Sequence, residues 1–110
     1  MPIYNKLVRD KIPEIIGETG KKYRTRTLTD EEYIQELKKK SLEELNEYFK
    51  ASDRESALEE LADVLEIVNA FAAYHDSNLE EIGKIRKKKA EKRGAFQEKV
   101  FLIEVEDEQD

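Results

Sequence analysis

The sequence predicts a mainly α-helical protein, a helical bundle with short extended segments at its N- and C-terminal ends. Apolar residues recur at the three-to-four-residue spacing of a helix over long stretches of the chain. The chain has no Trp and only two Pro, which favours helices over a β-sandwich. Its 110 residues are enough for one small core, so we expect a single domain over 1–110.

The N-terminal stretch predicts a short helix followed by a short strand. Pro13 suits the first turn of a helix over 14–18, where its missing N–H leaves nothing unpaired. Gly20 is placed to close this helix, since glycine tolerates the left-handed conformation that follows many helix ends. The next residues, 23–28, alternate as Tyr-Arg-Thr-Arg-Thr-Leu, a pattern typical of an edge strand.

A capping box marks the start of the next helix. Thr29 is expected as its N-cap, with Glu32 three residues later returning the hydrogen bond. We expect this helix over about 30–49. Ser52 and Asp53 then break the chain, and either residue suits the N-cap of the following helix.

The helix expected over 53–74 is apolar around more than half of its circumference. Its apolar positions include Leu58, Leu61, Ala62, Leu65, Val68 and Ala72. One chain of this length offers too few partners to cover such a face. We therefore expect a homodimer or a dimer of dimers, in which the helices over 30–49 and 53–74 form four-helix packing across a two-fold axis.

The C-terminal third predicts one more helix and a strand. Ser77 and Glu80 form a second capping box, and the helix that they begin should end at Gly94. Residues 99–105 read Lys-Val-Phe-Leu-Ile-Glu-Val, which is typical of a strand. It is expected to pair with the residues over 23–28 or with the N-terminal segment.

Two acidic motifs lie on the helices expected over 30–49 and 53–74. They are Glu43-Glu44-Leu-Asn-Glu47 and Glu60-Leu-Ala-Asp63. Residues three apart share a helix face, so antiparallel packing would bring four carboxylates together. Like charges at this spacing repel, and a hard divalent cation offsets that repulsion best. The motifs therefore predict a Mg²⁺ site, with Mn²⁺ as a possible substitute, that keeps positions open for substrate phosphates.

Composition favours a plainer interpretation of these acids, whereas their neighbours favour a site. Asp and Glu make up 26 of the 110 residues, so an acidic motif on a solvated helix face is common. Glu60, however, shares a helical stripe with Val64 and Ile67, where an uncompensated charge is costly. The acids that lie on or beside such stripes, and are expected to be half-buried, are Glu44, Glu60 and Asp63. The neighbours of Glu47 are mixed.

The last predicted helix carries the opposite charge. Seven Lys and Arg residues fall between Lys84 and Arg93, and most of them are expected on a solvated face. Lys89 follows Ile82 and Ile85 on the apolar stripe, so its ammonium should point over the core edge toward the bundle. A Lys and an Arg beside a metal site suit a polyphosphate, because the metal neutralises only part of its charge.

Charge and composition argue against several classes of protein. The net charge of −6 argues against non-specific binding to nucleic acid. The chain has no Cys, so it forms neither a disulfide nor a thiolate metal site. No apolar stretch approaches a membrane span, and the N-terminus has no signal-like apolar region. We expect a soluble, cytoplasmic protein.

The acidic motifs resemble those of a known family. The arrangement is similar to that of the MazG-like superfamily of all-α nucleoside triphosphate pyrophosphohydrolases, which includes phosphoribosyl-ATP pyrophosphohydrolase and dimeric dUTPases. Three segments together resemble a branch labelled phosphoribosyl-ATP pyrophosphohydrolase-like, and the similarity covers most of the chain. The segments are Tyr4-Asn-Lys-Leu-Val-Arg-Asp-Lys-Ile-Pro13, Glu59-Glu-Leu-Ala-Asp-Val-Leu-Glu66 and Lys89-x3-Arg93-Gly-x-Phe96.

The resemblance implies a Mg²⁺-dependent hydrolase that cleaves a nucleoside triphosphate to the monophosphate and pyrophosphate. The positions that match the family's metal-binding and catalytic residues are Glu44, Glu47, Glu60 and Asp63. The candidate contacts to substrate are Glu43, Lys89 and Arg93, with Lys6 and Arg9 as candidates to reach a phosphate across a dimer. The residues that read the base in better-known members are not found in this chain, so base and sugar specificity stay open.

Two other functions remain open at this point. Phosphoribosyl-ATP pyrophosphohydrolase activity, in histidine biosynthesis, would use the same site on a different substrate. A non-enzymatic helical module for dimerisation or partner binding would need no Mg²⁺. Of the isolated features, His75 at a helix end is expected to be structural, and Tyr48 or Tyr74 are candidates to flank a base.

Overall fold

The computed structural model describes residues 2–107 and is mainly α-helical, as the sequence predicts. In chain order the helices are α1 (Ile12–Glu18), α2 (Asp30–Lys50), α3 (Arg54–Tyr74) and α4 (Leu79–Arg93). None of the helices found in this range is long and apolar enough to cross a membrane. Cytoplasmic location stays a prediction.

The start of α2 is held by the predicted capping box. The Glu32 N–H donates to Thr29 Oγ1 at 3.2 Å, and the Thr29 N–H donates to Glu32 Oε1 at 3.1 Å. Arg26 forms a bidentate pair of hydrogen bonds, in which Nη1 and Nη2 donate to the two carboxylate oxygens of Glu32 at 3.0 and 2.8 Å. The hydrogen bond from Arg26 is the largest of the effects that lower the pKa of Glu32 to about 2. These bonds tie the preceding segment to the helix.

The two ends of α3 are capped in different ways. At its start Asp53, rather than Ser52, is the N-cap, with Oδ1 accepting the Ser56 N–H at 2.7 Å. At its end Asp76 adopts the left-handed conformation at φ 56°. The Ser77 N–H then donates back to the Ala72 carbonyl at 2.8 Å, which satisfies an orphan carbonyl of the last turn.

The shorter helices depart from their expected bounds by a few residues. α1 begins at Ile12, two residues earlier than expected, with Pro13 in its first turn. α4 begins at Leu79 and ends at Arg93. Gly20 and Gly94, which follow these two helices, both lie in the left-handed region, at φ 85° and 82°. Their predicted role as helix-ending glycines is therefore consistent with the backbone.

The pair α2–α3 forms an antiparallel hairpin, joined by residues 51–53. Tyr33 near the start of α2 lies beside Tyr74 at the end of α3, with ring centroids 6.4 Å apart. Leu37, exposed by only 1%, is the one large side chain that is fully buried among the described residues. The only other hydrophobic residue buried in this part of the chain is Ala72. The hairpin therefore has a very small core of its own.

The two predicted strands are wrong: neither 23–28 nor 99–105 is a strand, and no strand occurs between residues 2 and 107. A strand is stable only when a neighbour receives its backbone hydrogen bonds, and a single segment cannot supply that neighbour. The apolar side chains from Val100 to Ile103 are all exposed. The alternating residues therefore belong to segments that pair with no other strand among residues 2–107.

The chain divides into two compact units, one ending at Leu79 and the other beginning at Glu80. The first contains α1 and the α2–α3 hairpin. The second contains most of α4 and the segment that follows it. Whether the chain behaves as the single domain expected from its length stays a prediction.

Candidate metal centre

Three of the predicted acids come together across the α2–α3 hairpin. Glu44 lies on α2, and Glu60 and Asp63 lie three residues apart on α3. Each offers one carboxylate oxygen, and these three oxygens all lie within 4.8 Å of one another. All three residues are half-buried, as their positions on apolar stripes predicted. We refer to these three residues as the acidic triad.

The other two acids of the motifs lie outside the acidic triad. Glu47 is exposed and is absent from the group of close oxygens. Glu43 is also exposed, and its Oε1 lies 3.5 Å from the Lys40 ammonium. The sequence had marked Glu47 as the acid with mixed neighbours, and the structure agrees with that distinction. Its role as a metal ligand stays a prediction.

Two members of the acidic triad lie next to a positively charged side chain, and the third does not. Arg9 donates from Nη2 to Asp63 Oδ1 at 2.7 Å. The Lys40 ammonium lies 3.6 Å from Glu44 Oε1. Among the described residues no Lys, Arg or His lies within 4.0 Å of the Glu60 carboxylate. Glu60 is therefore the acid whose charge is least compensated by the protein.

The electrostatics of Glu60 follow from this arrangement. Its pKa is raised above the ordinary value of 4.5, first because partial burial disfavours the charged form. Repulsion from Asp63, Glu44, Glu47 and Glu59 raises it further. A positive ion at the acidic triad would oppose each of these effects, because it would stabilise the ionised carboxylate.

The donor set of the acidic triad fits a hard divalent cation. Mg²⁺ prefers oxygen ligands at 2.0–2.1 Å and keeps several waters, so neighbouring ligand atoms lie about 3 Å apart. Oxygens no more than 4.8 Å apart would reach a common ion by small changes of side-chain torsion. Three protein oxygens would leave other positions for water or substrate. The residues present therefore fit Mg²⁺ or Mn²⁺ by ligand type and number.

The predicted basic residues have different surroundings. Arg9 touches the acidic triad within its own chain. Lys6 instead lies over the Tyr4 ring, with Nζ 5.8 Å from the ring centroid. Lys89 and Arg93 lie on α4 and are exposed.

The residues of α4 that share a stripe with Lys89 are exposed. Ile82 and Ile85, which lead to Lys89 along that stripe, are both exposed. α4 belongs largely to the second compact unit, and its stripe is described within that unit only. That Lys89 points over a core edge toward the bundle stays a prediction.

One contact of the site was missed by sequence reasoning. Lys40 is only 19% exposed and lies near both Glu43 and Glu44. The available signal was its spacing: Lys40 and Glu44 are four apart on one helix, where opposite charges attract.

An aromatic groove lies at the other end of the hairpin. It is lined by Asp30, Tyr33, Ala70, Ala73 and Tyr74. Ala70 is seven residues beyond Asp63 on α3, which corresponds to about 10 Å along a helix axis. Tyr74, one of the two tyrosines considered for a base, is therefore in an open groove on the same hairpin as the acidic triad.

No family model matches the chain, and no solved structure matches it. An uncharacterized protein of Mycolicibacterium smegmatis is 47% identical to it over 53 residues. That region is 48% of this chain and 54% of the mycobacterial protein, so the chain spans about half the length of the relative that it matches. The similarity indicates shared ancestry over this region and carries no activity with it.

Proposed function

We propose that this chain is a Mg²⁺-dependent nucleotide pyrophosphohydrolase that cleaves a nucleoside triphosphate to the monophosphate and pyrophosphate. The observation that supports the proposal most is the acidic triad, in which residues from two helices present three oxygens within 4.8 Å. Half-buried like charges repel and gain nothing in stability from one another. A bound cation would offset this repulsion, which would explain why the three acids lie together.

In the proposed reaction the chain's own side chains position the reactants. Glu44, Glu60 and Asp63 would hold the ion, which when bound would neutralise part of the charge on the triphosphate oxygens. Glu47 is exposed, and its charge contributes to the raised pKa of Glu60, so it lies close enough to act at the same site. We assign Glu47 the role of orienting a water and accepting its proton.

The covalent change is a substitution at the α-phosphorus. The water oxygen forms a bond to that phosphorus, and the bond to the oxygen that bridges to the β-phosphorus breaks. Pyrophosphate leaves with that oxygen, and the monophosphate keeps the oxygen of the water. Most of the catalysis in such reactions comes from position and charge neutralisation.

Basic residues would share the charge of the substrate with the ion. Arg9 is already at the edge of the acidic triad through Asp63. Lys6, Lys89 and Arg93 remain candidates on the strength of the sequence resemblance, and Glu43 remains a candidate contact to the rest of the substrate. The aromatic groove with Tyr74 is the proposed place for a base.

We also propose that the active form is a homodimer or a tetramer. Among the described residues only Leu37 and Ala72 are buried hydrophobics, which is a very small core for a folded chain. The exposed leucines of α3, which are Leu58, Leu61 and Leu65, supply apolar area for a partner copy to cover. Burial of that area would be the main source of stability for the assembly.

A turnover assay tests the proposal directly. The purified protein is offered a panel of canonical and damaged nucleoside triphosphates and phosphoribosyl-ATP, with Mg²⁺, with Mn²⁺ and with excess EDTA. We expect pyrophosphate release with either metal and none in EDTA, because uncompensated carboxylates repel a triphosphate. Full turnover in excess chelator would contradict the metal site.

The substrate panel also separates the alternative functions. Turnover of phosphoribosyl-ATP alone would assign the chain to histidine biosynthesis. If no substrate were turned over and Mn²⁺ did not bind, a helical module for dimerisation or partner binding would replace the enzyme.

A further inference from the structure

A guanidinium from the N-terminal segment already lies on the acidic triad. Arg9 Nη2 is 2.7 Å from Asp63 Oδ1, the length of a charge-assisted hydrogen bond. The two residues are 54 positions apart in the sequence, so the contact is tertiary rather than local. Another cation can therefore take this place on Asp63 only if the Arg9 side chain moves away.

The Arg9 carbonyl is bonded to the start of α1, while the Arg9 side chain is accessible. The Arg9 carbonyl accepts the Ile12 N–H at 3.1 Å, where α1 begins. Leu7 and Val8 just before it are half-buried. The Arg9 side chain itself is 58% exposed. The guanidinium can thus leave Asp63 without unwinding α1, and the segment before α1 then loses one of its contacts with the hairpin.

Lys40 differs from Arg9 in each of these respects. Its side chain is 19% exposed, and its ammonium stands farther from two acids of its own helix, at 3.5 and 3.6 Å. Lys40 therefore balances the charge of Glu43 and Glu44 within α2. Arg9 is the cation that makes a short, direct and exposed contact with the acidic triad.

We propose that Arg9 is a positioning residue that holds Asp63 in the metal-free protein and yields it when a divalent cation binds. This inference rests on the proposed function, since it needs a cation at the acidic triad. A divalent ion on Asp63 would repel the guanidinium across one carboxylate, and the doubly charged partner gains more from the site. The displaced guanidinium is then free for a phosphate, whose geometry its fork matches.

Binding of Mn²⁺, followed by its electron paramagnetic resonance signal, tests the exchange without any turnover. Arg9→Gln removes the competitor, so we expect Mn²⁺ to bind roughly twofold to fivefold more tightly, the range that an exposed ion pair corresponds to. Lys22→Gln is the matched control, because it removes one charge from an exposed position of the N-terminal part of the chain that has no assigned role at the site. The control should leave the affinity unchanged.

Hydrogen exchange in the unmodified protein provides a second measurement that needs no variant. Mn²⁺ should increase amide exchange over residues 5–11, since the ion breaks the contact to Asp63. In Arg9→Gln the same amides should exchange alike with and without Mn²⁺. Segment exchange that is unchanged or slowed by Mn²⁺ in the unmodified protein would overturn the inference even if Arg9→Gln failed to fold.

The Glu60→Gln variant separates the two possible failures. Should Glu60→Gln lose Mn²⁺ binding while Arg9→Gln binds no more tightly than the unmodified protein, the metal site stands and the exchange is wrong. Should neither the unmodified protein nor Glu60→Gln bind Mn²⁺, both the proposed function and this inference fail.

Discussion

The two faces of α3 differ in chemistry, and their environments are the reverse of those in an ordinary surface helix. The face toward α2 includes Glu60 and Asp63, which are half-buried. The opposite side includes Leu58, Leu61 and Leu65, which are 48%, 42% and 54% exposed. A helix on the surface of a monomer buries its leucines and exposes its acids. This difference is what the two proposals would explain, with the acids holding a cation and the exposed leucines covered by a partner copy.

The largest expected effect comes from placing a charge among the exposed leucines of α3. Leu61→Glu would place a charge where a partner copy covers the helix, and an unpaired buried charge is costly. We expect the dissociation constant of the dimer to rise by at least about a hundredfold, or roughly 3 kcal/mol. Light scattering over a range of concentrations measures the change.

Gln97→Glu is the control for that experiment, since it adds the same charge at an exposed position outside α2 and α3. It should leave the assembly intact. An unmodified protein that is monomeric at micromolar concentration would remove the claim of assembly altogether.

The second effect concerns the polar side of α3. Glu60→Gln keeps the shape of the side chain and removes the charge that no nearby cation compensates. We expect turnover to fall by about a hundredfold, because a group that fixes the metal is lost. Thermal stability in EDTA should stay equal or rise, since repulsion within the acidic triad decreases.

Glu106→Gln is the matched control for this change, since Glu106 lies in the exposed C-terminal segment. It should alter neither turnover nor stability. If Glu60→Gln unfolded the protein while its folded fraction stayed active, the acid would be structural and the interpretation as a metal site wrong.

A smaller effect is expected at the residue that begins α3. Asp53→Ala removes the oxygen that accepts the Ser56 N–H at 2.7 Å. Loss of such an N-cap costs about 1 kcal/mol in the free energy of unfolding. Ser52→Ala, one residue earlier, should cost much less, and chemical denaturation of the two variants compares them. Equal losses would contradict the assignment of Asp53 as the cap.

The smallest effect is a dependence of stability on pH in the metal-free protein. The pKa of Glu60 is raised in the folded state above its ordinary value of 4.5. Between those two values the folded state binds more protons than the unfolded state, so the free energy of unfolding falls as pH rises. The difference in stability between the unmodified protein and Glu60→Gln should therefore change across this window. Parallel pH curves in EDTA would show that Glu60 is not perturbed.

Local signals in the sequence predicted the helices because their hydrogen bonds span only a few residues. Thr29 and Glu32 form the expected capping box, and the bond from the Glu32 N–H to Thr29 Oγ1 spans only three positions. The choice between Ser52 and Asp53 could not be made in this way, because both residues suit the cap. The conformation of the backbone at Asp53 decided it.

Long-range partners explain where the sequence misled us. The segment over 99–105 has the composition of a strand, but pairing depends on a neighbour that alternation does not reveal. Its apolar side chains from Val100 to Ile103 are exposed in the structure. Helical spacing likewise predicted an apolar stripe at Ile82 and Ile85 without showing what would cover it.

The sequence by itself determined the helices and the acids that share their faces, because a helix repeats every 3.6 residues whatever surrounds it. Helical spacing already distinguished Glu44 from Glu47, but only the tertiary structure brought Glu44 close to Glu60 and Asp63. That approach depends on the rotation and offset of α2 against α3, which local spacing does not encode. The contact of Arg9 with Asp63 has the same origin, since only folding brings residues 54 positions apart within a hydrogen bond.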